Sequence, residues 1–292
     1  MPTFLLLHPM NPIGIFDSGY GGLTIMREIV RALPRYDYVY LGDNARTPYG
    51  NRSFETVYHY TLECVQKLFA LGCPLVVLAC NTASAKALRN IQQLDLPTMG
   101  DITKRDPPVR DPPVRVLGVI RPTTEVIGTY SQTGEVGILA TKGTVLSDSY
   151  GIEIKKFFPT IRVFQEACPM WVPLIENGEF DQPGADYFVK QHIDRLMARS
   201  PNIDTLLLAC THYPLLLPKI RQYVPAHVTI LSQGEIVARS LADYLHRHPD
   251  MASRCTQTGQ RTFLTTDSPE DFGQQATVFW GEAVIASQLA LG

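Results

Sequence analysis

The chain has 292 residues, of which 45% are hydrophobic, and a net charge of −2 from 26 basic and 28 acidic side chains. This length favours two domains, and the apolar content is sufficient for two cores. The near-neutral charge and the lack of long basic runs argue against a nucleic-acid or membrane surface. Six cysteines without a C-x-x-C pair indicate reduced thiols in a cytoplasmic protein, with no zinc site and no metal.

The first part of the chain alternates short apolar runs with longer helical patterns. We expect residues 1–12 to form a loose extension, because the apolar run is too short for a signal peptide or a membrane span. After it, strands are predicted at 13–16, 38–41 and 74–79, and helices at 22–33, 53–71 and 83–94. Continuous apolar strands that alternate with helices predict βαβ units and a parallel sheet covered on both faces.

The same alternation returns in the second part of the chain. Strands are predicted at 116–120, 136–140, 161–164, 205–209 and 228–231, and helices at 183–200, 234–246 and 278–289. Between the two parts, the sequence Arg-Asp-Pro-Pro-Val occurs twice, over residues 105–114. Prolines at this density exclude a helix and predict a stiff, extended connector, with a partner-binding motif as the alternative.

Cys80 and Cys210 have similar sequence surroundings. Each cysteine ends an apolar strand-like run and precedes polar residues suited to begin a helix, Asn81-Thr82 in one case and Thr211-His212 in the other. Open parallel sheets bind ligands at the carboxyl ends of their strands, and a thiol near a helix N-terminus or a cation has a lowered pKa. The pattern favours two thiols facing one substrate, although a buried core cysteine is the alternative for each one alone.

Other polar residues also follow predicted strands. Asp17 lies in a glycine-rich turn that matches neither G-x-G-x-x-G nor G-K-[ST], so a nucleotide site is not favoured, and helix capping is the alternative role. Thr141 and Thr144 follow the strand predicted at 136–140. Glu176 follows an apolar segment, where it is either partly buried with a perturbed pKa or solvent-facing.

In their order along the chain, these motifs resemble the glutamate racemases of the aspartate/glutamate racemase superfamily. The matching stretches are 14–24, 42–43, 48–50, 79–83, 167–176 and 210–216. The resemblance implies an α/β fold of two doubly wound, mostly parallel-sheet domains, related by pseudo-symmetry, with the active site in the cleft between them. It further implies a discontinuous domain one at 13–104 and 233–292, a connector at 105–114, and domain two at 115–232.

The resemblance also implies a function: cofactor-independent interconversion of L- and D-glutamate, which supplies D-glutamate for peptidoglycan. Cys80 and Cys210 would be the two acid/bases, with Asp17 assisting Cys80, and with His212 and Glu176 assisting Cys210. The expected substrate-binding residues are Asp17, Ser18, Tyr49, Gly50, Asn81, Thr82, Thr144, Thr211 and His212. Family members are often dimers, so a homodimer is expected.

Three alternatives stay open from the sequence. An aspartate racemase would share the fold and both cysteines. A noncatalytic amino-acid-binding protein on the same fold is disfavoured because all expected catalytic residues are present. A pyridoxal phosphate racemase is disfavoured because no lysine has a convincing Schiff-base setting. The sequence departs from the family pattern in its long connector and in Ala209, which replaces a common glycine.

Overall fold

The computed structural model describes residues 11–99 and 114–291, so most of the predicted extension and connector lies outside it. The strands are β1 Ile13–Asp17, β2 Tyr38–Gly42, β3 Leu75–Leu78, β4 Arg115–Gly118, β5 Glu135–Ala140, β6 Arg162–Ala167, β7 Thr205–Ala209, β8 Thr229–Leu231, β9 Arg261–Thr265 and β10 Ala286–Gln288. The helices are α1 Leu23–Ala32, α2 Phe54–Ala70, α3 Asn81–Lys86, α4 Leu88–Asn90, α5 Leu96–Met99, α6 Ile120–Thr124, α7 Lys142–Ser147, α8 Ser149–Phe157, α9 Trp171–Glu176, α10 Pro183–Met197, α11 Leu217–Tyr223, α12 Gly234–Arg247, α13 Pro249–Arg254 and α14 Pro269–Trp280.

The strands form two parallel sheets. The first sheet has the order β10-β9-β2-β1-β3-β4, and the second has the order β6-β5-β7-β8. The order β2-β1-β3-β4 is therefore repeated as β6-β5-β7-β8, so the two sheets are related by pseudo-symmetry. The predicted α/β fold with two doubly wound, parallel sheets is confirmed.

The central strands are buried along their whole length. Every residue of β1, β3, β5 and β7 is buried. This burial explains their continuous apolar sequences, because helices cover both faces of a parallel sheet. Among the described residues, no helix has both the length and the apolar character needed to cross a bilayer.

Strand β4 corrects one predicted domain boundary. We expected residue 115 to begin domain two, but β4 pairs with β3 in the first sheet, with Val116 opposite Val76. A short apolar strand carries no mark of the sheet it joins, so this membership depends on the hydrogen-bonding partner that the fold brings beside it. The rest of the domain division stays a prediction.

The C-terminal region differs most from the sequence-based prediction. The helix predicted at 278–289 is wrong: α14 begins after Ser268, whose hydroxyl caps the amide of Asp271, and ends at Gly281. Gly281 has φ 93°, a left-handed conformation that terminates a helix. The chain then forms β10. Strand β9 was missed because its first two residues, Arg261 and Thr262, are polar and exposed, which weakens the apolar pattern of the strand.

Helix α12 returns the chain from the second sheet to the first, where it packs against α1. Leu241 lies on the buried face of α12 and is 3% exposed. Leu241→Ala is expected to lower the free energy of unfolding by about 2–5 kcal/mol, because it leaves a cavity in this interface. Urea unfolding measures the change. Arg239→Ala, on the exposed face of the same helix, is the matched control, and an equal effect of both variants would contradict burial of this face.

Candidate active site

Both sheets change winding direction at corresponding positions. The chain passes from β1 outward to β2 and then returns to β3, on the other side of β1; β5, β6 and β7 repeat this path. Ligands of doubly wound sheets bind at such a switch point, at the carboxyl ends of the strands. Asp17 ends β1 and Cys80 follows β3, whereas Thr141 follows β5 and Cys210 follows β7. The two cysteines therefore occupy equivalent positions in the two sheets.

A cleft between the sheets brings most of the predicted site residues together. Its lining includes Ser18, Tyr49, Gly50, Cys80, Asn81, Thr82, Cys210, Thr211 and His212. Asp17, Glu176 and Thr144 do not line the cleft; they contact residues that do. The predicted site residues therefore fall into two groups: those that line the cleft, and Asp17, Glu176 and Thr144, which lie behind the lining.

The Cys80 thiol lies at the N-terminus of α3. Its sulfur accepts a hydrogen bond from the Ala83 amide at 3.4 Å and lies 3.5 Å from the Ser18 hydroxyl. Burial, with the negative charge of Asp17 as a smaller cause, raises the pKa of Cys80 to about 12, against the two hydrogen bonds, which lower it. Cys80 is therefore a neutral thiol at neutral pH and a strong base once it is ionised.

Asp17 is completely buried beside Cys80. Its Oδ2 accepts a hydrogen bond from the Gly19 amide at 3.0 Å, and its Oδ1 has no hydrogen bond of standard geometry with the described residues. Burial raises the pKa of Asp17, while the positive charge of His212 opposes this shift. A buried carboxyl group at this position makes the Cys80 thiolate more basic.

Cys210 has a different set of partners. Its sulfur lies 3.9 Å from His212 Nδ1, and His212 Nε2 lies 3.0 Å from Glu176 Oε1. Burial alone would lower the pKa of His212, but the hydrogen bonds and charges of Cys210 and Glu176 raise it to about 10. His212 is therefore a cation at neutral pH, and it presents its positive charge to the Cys210 sulfur.

Two close contacts join the turns that carry the functional groups of the two sheets. Thr24 Oγ1 donates to the carbonyl of Thr211 at 2.9 Å. A Cβ atom on Gly21 would lie 2.3 Å from both His212 Nδ1 and Thr211 Oγ1, so only glycine permits this approach. The turn after β1 therefore packs directly against the turn after β7.

The structure shows that Thr141, and not the predicted Thr144, reaches the cleft. Thr144 Oγ1 lies 3.1 Å from Thr141 Oγ1, which in turn lies 3.0 Å from Thr82 Oγ1. Thr144 is completely buried and supports Thr141 from the side away from the cleft. The same rule that selected Asp17 and the two cysteines, the first polar residue after a strand, would have selected Thr141.

The Tyr49 ring is held from outside the cleft. Its hydroxyl donates to Asp43, which also accepts a hydrogen bond from Arg46 Nε at 2.7 Å. Because its proton is donated to Asp43, the hydroxyl can act towards other groups only as an acceptor. Gly50 follows directly, and a Cβ atom there would lie 3.1 Å from Thr141 Cβ.

Several residues that line the cleft were not among the site residues predicted from the sequence. They are Thr47, Pro48, Asn51, Lys142, Cys168, Pro169, Val172 and Pro173. Cys168 follows β6 and Lys142 follows Thr141, so their positions after strands were the available signal. Within residues 11–99 and 114–291, no group of three or more His, Cys, Asp or Glu side chains is arranged to hold a metal ion.

Comparison with known proteins identifies the family. The Asp/Glu/hydantoin racemase family model matches residues 13–241. The chain belongs to this family. It is 38% identical, over 274 residues and 94% of both chains, to the glutamate racemase of Geobacter metallireducens.

Solved structures agree with this family. A glutamate racemase isoform from Bacillus anthracis matches with a TM-score of 0.83 and 32% identity, over 97% of this chain and 99% of the other. The Francisella tularensis glutamate racemase in complex with D-glutamate matches with a TM-score of 0.81 and 27% identity, with the same coverage of both chains. The chain is therefore an amino-acid racemase.

Gly21→Ala is expected to reduce racemase activity by about 100-fold, because displacement of a catalytic group by as little as 1 Å has effects of this size. The added methyl group would push His212 or Thr211 away from the turn. Steady-state kinetics measure the loss. Gly184→Ala is the matched control, since a Cβ atom at Gly184 has no neighbour within 4 Å. Full activity of the Gly21 variant would contradict the close packing of the two turns.

Glu176→Gln is expected to destabilise the fold by about 1–3 kcal/mol at pH 6.5, through loss of a charged hydrogen bond to His212. The folded pKa of His212, about 10, exceeds its ordinary value of 6.5, so the stabilisation is complete below pH 6.5 and is lost as the pH rises through 10. Thermal unfolding at pH 6.5 and at pH 10 measures this difference. Glu179→Gln, an exposed change nearby, is the control, and a destabilisation independent of pH would contradict the assignment.

Proposed function

We propose that the chain is a cofactor-independent glutamate racemase that transfers the Cα proton between two thiols, Cys80 and Cys210. The main support is that these cysteines follow equivalent strands of two sheets and line one cleft. Racemisation requires removal of a proton from one face of Cα and delivery to the other face. Two acid/base groups on opposing walls of one cleft meet this requirement.

In the proposed reaction, Cys80 removes the proton from D-glutamate. Its raised pKa makes the thiolate a strong base, and Asp17 beside it increases this basicity. The substrate ammonium group, bound close to the sulfur, would favour ionisation of the thiol before proton transfer. Asp17 therefore acts through Cys80, in agreement with its position behind the cleft.

Cys210 would remove the proton from L-glutamate and protonate the carbanion formed from D-glutamate. The His212 imidazolium lies 3.9 Å from the Cys210 sulfur, where it can exchange a proton with it or orient it, and Glu176 holds the ring through Nε2. His212 also lines the cleft, so it is placed to contact a substrate carboxylate as well.

The remaining lining residues are suited to hold an amino acid with two carboxylates. Hydroxyl and amide groups come from both sides of the cleft: Ser18, Asn81, Thr82, Thr141 and Thr211. Gly50 offers backbone rather than side-chain contacts. Among the described lining residues, Lys142 is the one lysine or arginine, and its charge suits a carboxylate. Such groups would stabilise negative charge as it develops next to Cα.

We propose glutamate rather than aspartate as the substrate because the similar curated proteins are glutamate racemases. Curated proteins that are 35–39% identical to this chain, over at least 91% of it, are named glutamate racemases. We further propose that the product D-glutamate serves peptidoglycan synthesis in the cytoplasm, where both thiols would stay reduced, and that the enzyme is a homodimer.

Turnover in deuterated water tests the mechanism. With either enantiomer of glutamate, the wild-type product should carry solvent deuterium at Cα, because the returning proton comes from the second thiol. Cys80→Ala and Cys210→Ala should each reduce racemisation by at least about 10²–10⁴-fold, the usual contribution of a general acid/base. Mass spectrometry and circular dichroism measure the two readouts.

Cys255→Ala is the matched control for these variants, since Cys255 is a buried free thiol that does not line the cleft. Racemisation retained by either the Cys80 or the Cys210 variant would contradict the two-thiol mechanism. Turnover of aspartate with inert glutamate would overturn the substrate assignment and leave the mechanism intact.

A further inference from the structure

Three buried polar side chains form a closed ring of hydrogen bonds next to the Cys80 turn. Asn81 Nδ2 donates to Gln233 Oε1 at 2.8 Å, Gln233 Nε2 donates to the Tyr150 hydroxyl at 2.7 Å, and that hydroxyl donates to Asn81 Oδ1 at 2.6 Å. None of the three residues is more than 2% exposed. The donors follow one another in a single direction around the ring, so its bonds are mutually compatible.

The ring joins separate parts of the fold. Asn81 begins α3 beside the first sheet, and Tyr150 belongs to α8 beside the second. Gln233 lies between β8 and α12, where the chain returns to the first sheet. Its amide also lies 3.2 Å from the Val119 carbonyl and 3.0 Å from Thr123 Oγ1, where the chain first leaves that sheet. We call the segment after β4 and the segment between β8 and α12 the two chain crossings, because the chain passes between the sheets there. Both crossings, and elements beside both sheets, therefore meet at the ring.

The ring acts on the N-terminus of α3. This helix has only six residues, so tertiary contacts rather than intrinsic helix stability decide the position of its first turn. Asn81 is its first residue, and the amide of Ala83 in the same turn donates to Cys80 Sγ. Burial raises the pKa of Tyr150, which keeps its hydroxyl protonated and able to donate.

Packing alone does not require such a ring. Burial of three polar side chains is unfavourable unless each is satisfied, and apolar side chains of similar volume would fill the same space. A fully satisfied polar ring instead specifies one arrangement of the groups that it joins. Here the groups are the turn that carries Cys80, helix α8 and the two crossings.

We propose that Tyr150 and Gln233 are positioning residues for proton transfer at Cys80, which they serve by holding the first turn of α3 against the thiol in one arrangement of the two sheets. The inference rests on the proposed function. Neither residue was among the site residues predicted from the sequence, and Tyr150 does not line the cleft.

Tyr150→Phe removes one hydroxyl and keeps the ring volume. We expect kcat/KM to fall by about tenfold, which corresponds to ~1.4 kcal/mol and lies within the range for loss of a buried hydrogen bond. The fall must be equal in both directions, since enantiomers have equal free energies. The values of kcat/KM therefore do not show which proton transfer is slowed, and kinetic isotope effects are needed to identify it.

Substrates deuterated at Cα separate the two proton transfers. If the Cys80 step is selectively slowed, the isotope effect on kcat/KM should rise for deuterated D-glutamate and fall for deuterated L-glutamate, relative to wild type. A merely structural role would reduce the amount of active enzyme and leave both isotope effects unchanged. Unchanged effects, or a rise with L-glutamate instead, would overturn the proposal.

Tyr38→Phe is the matched control, because Tyr38 is 1% exposed, its hydroxyl donates to the Leu33 carbonyl, and neither residue lines the cleft. It should leave both isotope effects unchanged. Gln233→Met breaks the ring at a second position and should reproduce the isotope pattern, and the double variant should be no slower than the slower single variant. Additive losses would contradict a single ring.

Hydrogen–deuterium exchange gives a readout that does not depend on turnover. The backbone amides of residues 81–86 should exchange faster in Tyr150→Phe than in wild type or in Tyr38→Phe. Unchanged exchange would overturn the role of the ring while the proposed function stands. Wild-type enzyme that exchanges normally but does not racemise glutamate would instead overturn the proposed function, and the catalytic role of the ring with it.

Discussion

Parallel pairing of the fully buried strands β1, β3, β5 and β7 is the constraint on which the rest of the structure depends. Because parallel strands point in the same direction, every polar residue that follows one of them lies at the same edge of its sheet. Contacts between the turns of the two sheets, such as the hydrogen bond from Thr24 to Thr211, then bring two such edges to one cleft. The two cysteines face one cleft for this reason, although 130 positions separate them in the chain.

Equivalent positions do not make the two thiols chemically equivalent. Cys80 is surrounded by a buried carboxyl group and a helix N-terminus, which act in opposite directions on its pKa, and burial dominates. Cys210 instead lies beside an imidazolium held by Glu176. The two sheets thus have the same strand order, while individual side chains give each thiol different surroundings, as the proposed two-thiol mechanism requires. Different surroundings for the two thiols suit a substrate whose two enantiomers carry the Cα proton on opposite sides of the cleft.

The relative position of the two sheets is defined by a few specific contacts. The turn after β1 approaches His212 as closely as a glycine allows, and three hydroxyl groups, of Thr82, Thr141 and Thr144, connect the sheets across the cleft. The buried ring of Asn81, Tyr150 and Gln233 connects α3 beside the first sheet to α8 beside the second, at the two chain crossings. These contacts are polar and directional, so they specify one arrangement, whereas apolar packing alone tolerates several.

The sequence by itself determined the repeated strand–helix alternation and the two cysteine turns, because these features are local. The roles expected for Asp17, His212 and Glu176 came from the family resemblance and stay predictions. Buried strands are continuously apolar, and the groups at their ends are polar and small. Only the tertiary structure decided that β4 joins the first sheet, that β10 pairs with β9 where a helix was predicted, and that Tyr150 and Gln233 meet Asn81. Each of these depends on a partner distant in the chain, and a residue's local sequence does not record which distant partner it will contact.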